Sequence, residues 1–152
     1  MNSVNDLLRD KDDRVWTIAP QASVYAALEL MAQANIGAVV VTENDRVVGI
    51  FSERDYARKV ILLGRSSKTT PVSELMTRDV LYVSRADTIE NCMALMTEKR
   101  LRHLPVMENG KLVGLVSIGD VVKAIISDHE FTIRELERYI NGGHTTNISR
   151  DL

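Results

Sequence analysis

The chain is poor in several things that would otherwise direct its reading. It has one cysteine, Cys92, in 152 residues, so no intrachain disulfide framework can staple it. Phe, Trp and Tyr together make up 5% of the residues, which leaves Val, Ile, Leu, Met and Ala to fill any core. No apolar run approaches the roughly 20 residues needed to cross a bilayer, so no membrane partner is expected. The start, "MNSVNDLLRDKDD", lacks the apolar centre of a signal peptide, so a cytoplasmic location is expected. Neither charge sign dominates: the net charge is −2 and the pI about 5.9. A general nucleic-acid binder needs a basic face that displaces counterions, so nucleic acid is not an expected partner.

What is present is a globular composition, 45% hydrophobic and 26% charged, written twice. An offset of 65 residues relates Gly49 to Gly114, Ser52 to Ser117 and Asp55 to Asp120. The same offset pairs Val15 with Val80, Met31 with Met96 and Glu43 with Glu108. A constant offset over so many positions marks a duplicated unit. The expected organisation is a 1–14 lead-in, a first repeat at 15–63 and a 64–79 linker. A second repeat at 80–127 follows, then a 128–152 C-terminal helix and tail.

Each repeat predicts the order β-α-β-β-α, so the fold class is α/β in the α+β sense. The opening strands are "VWTI" and "VLYV". Ser23 and Thr88 then stand where a helix cap is needed. Val24, Ala27, Leu28 and Met31, and likewise Ile89, Cys92, Met93 and Met96, recur at i, i+3, i+4, i+7, which buries one helix face. Two Val-rich strands follow around "ENDR" or "ENGK", turns suited to tight hairpins. A unit of some 47 residues buries too little to stand alone, so the two repeats are expected to pack as one module.

The helices after the hairpins, Tyr56–Leu63 and Val121–Ile126, are apolar over more than one face and predict a homodimer. The competing expectation covers them from within, using Val4, Leu7 and Leu8 and a C-terminal helix bearing Phe131, Ile133, Leu136 and Ile140. Ser52-Glu53-Arg54-Asp55 read locally is a capping box. A helix start of this kind also offers free N–H groups to an anion. Cys92 sits on a buried helix face and reads as core. His129 and His144 have no metal-ligand spacing, and no catalytic residues emerge. The final "HTTNISRDL" is polar and is expected to be disordered.

The paired "GIFSERD" and "GLVSIGD", each behind a Val-rich hairpin, together with "RHLPVMENGKLVGLVS", resemble the cystathionine-β-synthase (CBS) domain pair, or Bateman module. That resemblance spans about Val15 to Ser127. It implies a non-catalytic regulatory module, commonly a disc-shaped dimer, acting on an unidentified regulated protein. The implied ligand is an adenosine nucleotide: AMP foremost, with ADP, ATP or NAD(H) as further candidates. A constitutive dimeric scaffold or an S-adenosylmethionine sensor is the alternative. An ionised Asp only accepts hydrogen bonds and so suits ribose hydroxyls, while Ser and Arg suit phosphate. The resemblance thus implies a first site of Ser52, Arg54, Asp55, Arg102 and His103, with adenine against Thr17, Ile18 and Ala19. His103 is expected to add charge at mildly acidic pH. A weaker second site joins Ser117, Gly119 and Asp120 to Gly37 and Ala38, with adenine against Val83, Ser84 and Ala86. Arg58 and Lys59 are expected on an exposed helix face.

Overall fold

The computed structural model describes residues 3–11 and 15–141; the polar tail from Gly142 lies outside them. The first repeat contains β1 (Thr17–Ile18), α2 (Val24–Ala34), β2 (Ala38–Glu43) and β3 (Arg46–Ser52). A short α3 (Glu53–Asp55) then runs straight into a π-helical stretch, Tyr56–Ile61. Ahead of this repeat lies α1 (Val4–Arg9). The second repeat follows α4 (Val72–Leu75) and contains α5 (Ile89–Lys99), β4 (His103–Glu108), β5 (Lys111–Ser117) and α6 (Ile118–Asn141).

Local chemistry explains the boundaries. Ser23 and Thr88 cap α2 and α5, each hydroxyl accepting a backbone N–H at 3.0 Å. Both helices stop at a residue in the left-handed conformation, Asn35 and Arg100. The hairpins turn on Asn44-Asp45 and Asn109-Gly110, all at positive φ as a two-residue primed turn requires. β2 pairs antiparallel with β3, and β4 with β5, and each hairpin shifts register once at equivalent places, Val41/Thr42 and Val106/Met107. β1 joins the first sheet in parallel, Thr17 opposite Val40.

The expected strand "VLYV" is reduced to one bridge, Val83 opposite Val106. In the first repeat Val40 N–H donates to the Trp16 carbonyl at 3.2 Å. Its counterpart in the second repeat is Pro105, which has no N–H, so the ladder cannot extend towards Leu81.

The cores are not divided as the repeats are. Val24, Ala27, Met31, Val39, Val41, Phe51 and Val60 of the first repeat pack with Val72, Leu75 and Met76 from α4 and its end. Ile89, Cys92, Met96, Leu104, Val106, Val116 and Val121 of the second pack with Val4, Leu7 and Leu8 of α1. Each repeat therefore receives the helix that leads into the other. The lead-in and linker segments carry these exchanged helices.

Hydrogen bonds mark the same exchange twice. The first N–H groups of α1, on Val4 and Asn5, donate to the Asp87 and Arg85 carbonyls at 2.9 and 3.0 Å. Those of α4 and its second residue, Val72 and Ser73, donate to Ala22 and Pro20 at 2.8 and 3.0 Å. Helix-start donors that lack intrahelical partners are thus satisfied by the loop ahead of the other repeat's helix.

The shared motif glycines make room for this packing. A methyl on Gly49 would lie 2.5 Å from Met76 Sδ and 2.9 Å from the Thr77 carbonyl oxygen. One on Gly114 would lie 2.7 Å from a Leu8 methyl.

α6 is continuous where a repeat helix and a separate C-terminal helix were expected; no Gly or Pro interrupts residues 120–141. Val4, Leu7 and Leu8 are buried as the inward-covering expectation held, but Phe131, Ile133, Leu136 and Ile140 are 51–63% exposed and cover nothing in this chain. Among the described residues no helix is long and apolar enough to cross a membrane.

Three substitutions test this packing. Gly49→Ala meets backbone as well as side chain and is expected to cost about 1–3 kcal/mol in denaturant titration. Gly114→Ala meets only the far end of Leu8 and is expected to cost less. Leu7→Ala, although in the lead-in, is expected to cost about 2–5 kcal/mol, as a core truncation does.

Candidate nucleotide cleft

Ser52 ends β3 and caps α3, and the capping box expected from sequence is formed in full. Asp55 N–H donates to Ser52 Oγ at 3.2 Å, while Ser52 N–H and Oγ donate to Asp55 Oδ2 at 2.9 and 3.0 Å. The cap consumes one carboxylate oxygen. The other, Oδ1, faces Lys59 Nζ at 3.1 Å and Thr77 Oγ1 at 3.4 Å. Both carboxylate oxygens are therefore engaged within the protein, one by the cap and one by Lys59 and Thr77.

Asp55 borders an open cleft of about 860 Å³. Ser52, Arg54 and Asp55 line it from the first repeat, and Arg102 and His103 from the second, so the five polar residues expected of the first site meet. Gly37 lies at the same junction; a methyl there would stand 3.7 Å from His103 Nε2.

Thr17, Ile18 and Ala19 do not line this cleft. β1 is committed to pairing with β2, and the wall is instead Thr77, Asp79, Val80 and Leu81, the segment running from α4 into the second repeat. The helix exchange is the reason. Thr77 exchanges two backbone hydrogen bonds with Ile50, at 2.8 and 3.0 Å, which fastens this segment along β3.

Sequence reasoning undervalued Arg58 and Lys59, and missed Arg100. All three line the cleft. Arg58 and Lys59 follow Asp55 by three and four residues on one helical path, which was the available signal.

The cleft lining is net cationic. The cleft carries five cationic side chains (Arg54, Arg58, Lys59, Arg100, Arg102) against three acidic ones (Glu53, Asp55, Asp79). Arg58 and then Arg102 hold the Arg54 guanidinium below its ordinary value, with a small contribution from burial and a partial offset from Asp55. His103 is also held low, mainly by burial. The nearby Asp120 and Asp55 pull it up while Lys11 and Arg102 push it down. This direction runs against the expectation that His103 adds charge in mild acid, because burial disfavours the charged imidazole.

The residues of the expected second site lie in several settings. Ser117 and Asp120 repeat the cap, with Asp120 N–H donating to Ser117 Oγ at 3.1 Å and Ser117 N–H to Asp120 Oδ2 at 2.9 Å. But Lys11 Nζ donates to the same Oδ2 at 2.6 Å and to the Leu115 carbonyl at 2.8 Å. Burial would raise the Asp120 carboxyl, yet the Lys11 hydrogen bond, the Ser117 donors and the Lys11 charge outweigh it and hold it low. Of the other residues, Gly37 borders the first cleft, Gly119 faces a shallow groove along α6, and Ala38 and Val83 are core. Ser84 N–H and hydroxyl are spent on Asp87 Oδ2, at 2.7 and 3.3 Å, and Ala86 is exposed.

Cys92 is fully buried and its thiol is pushed up to about 11 by burial and then Asp87, so it is no nucleophile near neutral pH. Among the described residues no cluster of three His, Cys, Asp or Glu is placed to hold a metal.

Known proteins share this architecture. The family model described as "CBS domain" matches residues 4–61 and 72–127, bounds that include both exchanged helices. The mitochondrial CBS domain-containing protein CBSX3 of Arabidopsis thaliana is 38% identical over 151 residues, covering 93% of this chain and 73% of its own length. The structure of a putative signal-transduction protein with CBS domains from Burkholderia ambifaria superposes with a TM-score of 0.80 at 50% identity, covering 83% of this chain and 95% of that one. A hexameric CBS-CP12 protein from bloom-forming cyanobacteria superposes at 0.70 with 26% identity, covering 93% of this chain and 87% of that one. With two repeats matched and a solved relative at half identity, the chain belongs to the CBS-domain family as a CBS pair.

Proposed function

We propose that this chain is a non-catalytic regulatory module that binds one adenosine nucleotide in the first cleft and passes the ligand state to a partner protein. The observation that carries the reading is the crowding of Arg54 by Arg58 and Arg102 at the edge of a cleft that also presents Asp55 Oδ1. Like charges held together with only a partial offset from Asp55 raise the energy of the free protein, and a bound phosphate relieves them. Asp55 then accepts from ribose hydroxyls, and Val80, Leu81 and Ile50 offer an apolar wall to adenine.

AMP is the favoured ligand; ADP, ATP and NAD(H) share the same phosphate and ribose chemistry. S-adenosylmethionine brings a sulfonium and an ammonium in place of phosphate, and an excess of cations disfavours it. The second site stays empty in this reading, because Gly119 stands where Arg54 does and Gly37-Ala38 where Arg102-His103 do, so a phosphate meets no arginine there.

Transmission rests on the ligand touching Ser52–Asp55 of one repeat and Arg102-His103 of the other. A ligand shifts such a junction only by binding its two arrangements unequally. The module works as a homodimer, an assembly consistent with the exposed Ile61, Leu62, Leu63 and Ile126 and with the self-association of the cyanobacterial neighbour.

Thermal melting with AMP, ADP, ATP, NAD⁺, NADH and S-adenosylmethionine tests the reading. At 100 times its Kd the true ligand adds about 2.7 kcal/mol. No shift with any of the six, together with no nucleotide released on denaturation, leaves only the scaffold alternative. Asp55→Ala is expected to weaken AMP binding more than Asp120→Ala does; equal losses would contradict the asymmetry of the sites. Arg102→Ala is expected to weaken AMP and ATP at least tenfold while sparing adenosine, as loss of a charge-assisted contact worth about 1.5–3 kcal/mol requires.

The Lys11–Asp120 pair has a pH signature. The carboxyl is lowered in the folded protein, so the pair stabilises it above the ordinary value of 3.8, and that gain is lost as pH falls through the lower folded-state value. Lys11→Met is therefore expected to lower stability by up to about 1 kcal/mol at neutral pH, with the gap to the parent closing in acid. A gap independent of pH would mean that Lys11 acts through packing.

A further inference from the structure

Beyond Ile118, α6 does not line the cleft, and its sequence has a period of its own. Val122, Ile126, His129, Ile133, Leu136 and Ile140 follow one another in alternating steps of four and three, the a/d spacing of a coiled coil. All six are exposed, the five aliphatic ones by 40–57%. At about 100° per residue they form a stripe roughly a third of a turn from Val121 and Ala124, the residues that α6 buries against its own module. The seam is therefore separate from the face that holds the helix in place.

We propose that this seam is the docking surface for the α6 seam of a second copy, in an antiparallel two-stranded coiled coil centred near Phe131. The proposal deepens the dimer reading given above, on which it rests. Antiparallel pairing sets each a residue against a d residue. One register uses all six positions: Ile126 on Leu136, Ile133 on His129, and Ile140 on Val122 of the second copy. A shift by one heptad either way strands two of them.

The flanking residues choose the direction. Antiparallel chains bring e positions together, so Lys123 meets Glu137 of the other copy twice by symmetry. Glu130 meets its own copy, but each already has Arg134 as an intrahelical partner at 3.5 Å. The g positions set Ile125 against Tyr139, the most exposed large apolar side chain among the described residues at 86%. Parallel chains would instead set Ile125 on Glu130 and Thr132 on Glu137, with no opposite charges matched.

Disulfide trapping in the full chain tests this, and Cys92 does not interfere because it is buried. The double variant Ile126→Cys/Leu136→Cys is expected to cross-link between chains on mild oxidation, and Ile133→Cys alone is expected not to. Cross-linking by Ile133→Cys alone means a parallel pair and overturns the proposal; failure of both variants means that no coil forms and overturns it too. Lys123→Glu is expected to weaken dimerisation about fivefold in sedimentation, and Lys123→Glu/Glu137→Lys to restore it. The AMP-induced melting shift, read on the same variants, fails independently if the nucleotide reading is at fault.

Discussion

The structure depends on the exchange of α1 and α4 between the two repeats. Neither repeat owns a complete core: the first is closed by Val72, Leu75 and Met76, and the second by Val4, Leu7 and Leu8. The exchange brings the segment after α4 alongside β3, and that close approach is what Gly49 permits. It also runs Thr77–Leu81 past Asp55. The cleft is thus a by-product of how two undersized units stabilise each other, and a change in one repeat cannot leave the other's packing untouched.

On this symmetric frame, the chemistry is asymmetric. Both repeats present Ser-x-x-Asp as a capping box with one carboxylate oxygen spent on the cap or its neighbours. What differs is the setting. Asp55 faces Thr77 and Lys59 across an open cleft ringed by guanidinium groups, whereas Asp120 is held by Lys11. The same residue type, placed by the same local geometry, has a lysine partner in each repeat, and what differs is the ring of arginines around Asp55. In the proposed function the crowded arginines supply the attraction for an anion and Asp55 its orientation.

Much of this was legible in the chain. The offset of 65 residues, the caps at Ser23 and Thr88 and the buried faces of α2 and α5 are local patterns, and local physics sets them. The convergence of Arg54 and Asp55 with Arg102-His103 was legible through family resemblance. The exchanged helices were not read, because their offset is 68 residues: Val4 with Val72, Leu7 with Leu75. Three extra residues between α1 and β1 break the register that revealed the rest. The cleft wall formed by Thr77, Asp79, Val80 and Leu81 therefore escaped the sequence pattern, which pointed to Thr17–Ala19. The Lys11–Asp120 pair spans 109 residues, a contact that no local pattern encodes. Pro105 was visible in the sequence, but its effect on the "VLYV" strand depended on knowing which strand it would have bonded.

The account stands or falls on one cleft that takes the phosphate of an adenosine nucleotide while its symmetric counterpart stays empty. Calorimetric titration of the intact protein with AMP measures this most directly. The expected result is one AMP per chain, with affinity falling as salt rises because the cleft is cationic. Two equivalent AMP molecules per chain, or binding indifferent to salt, would contradict it.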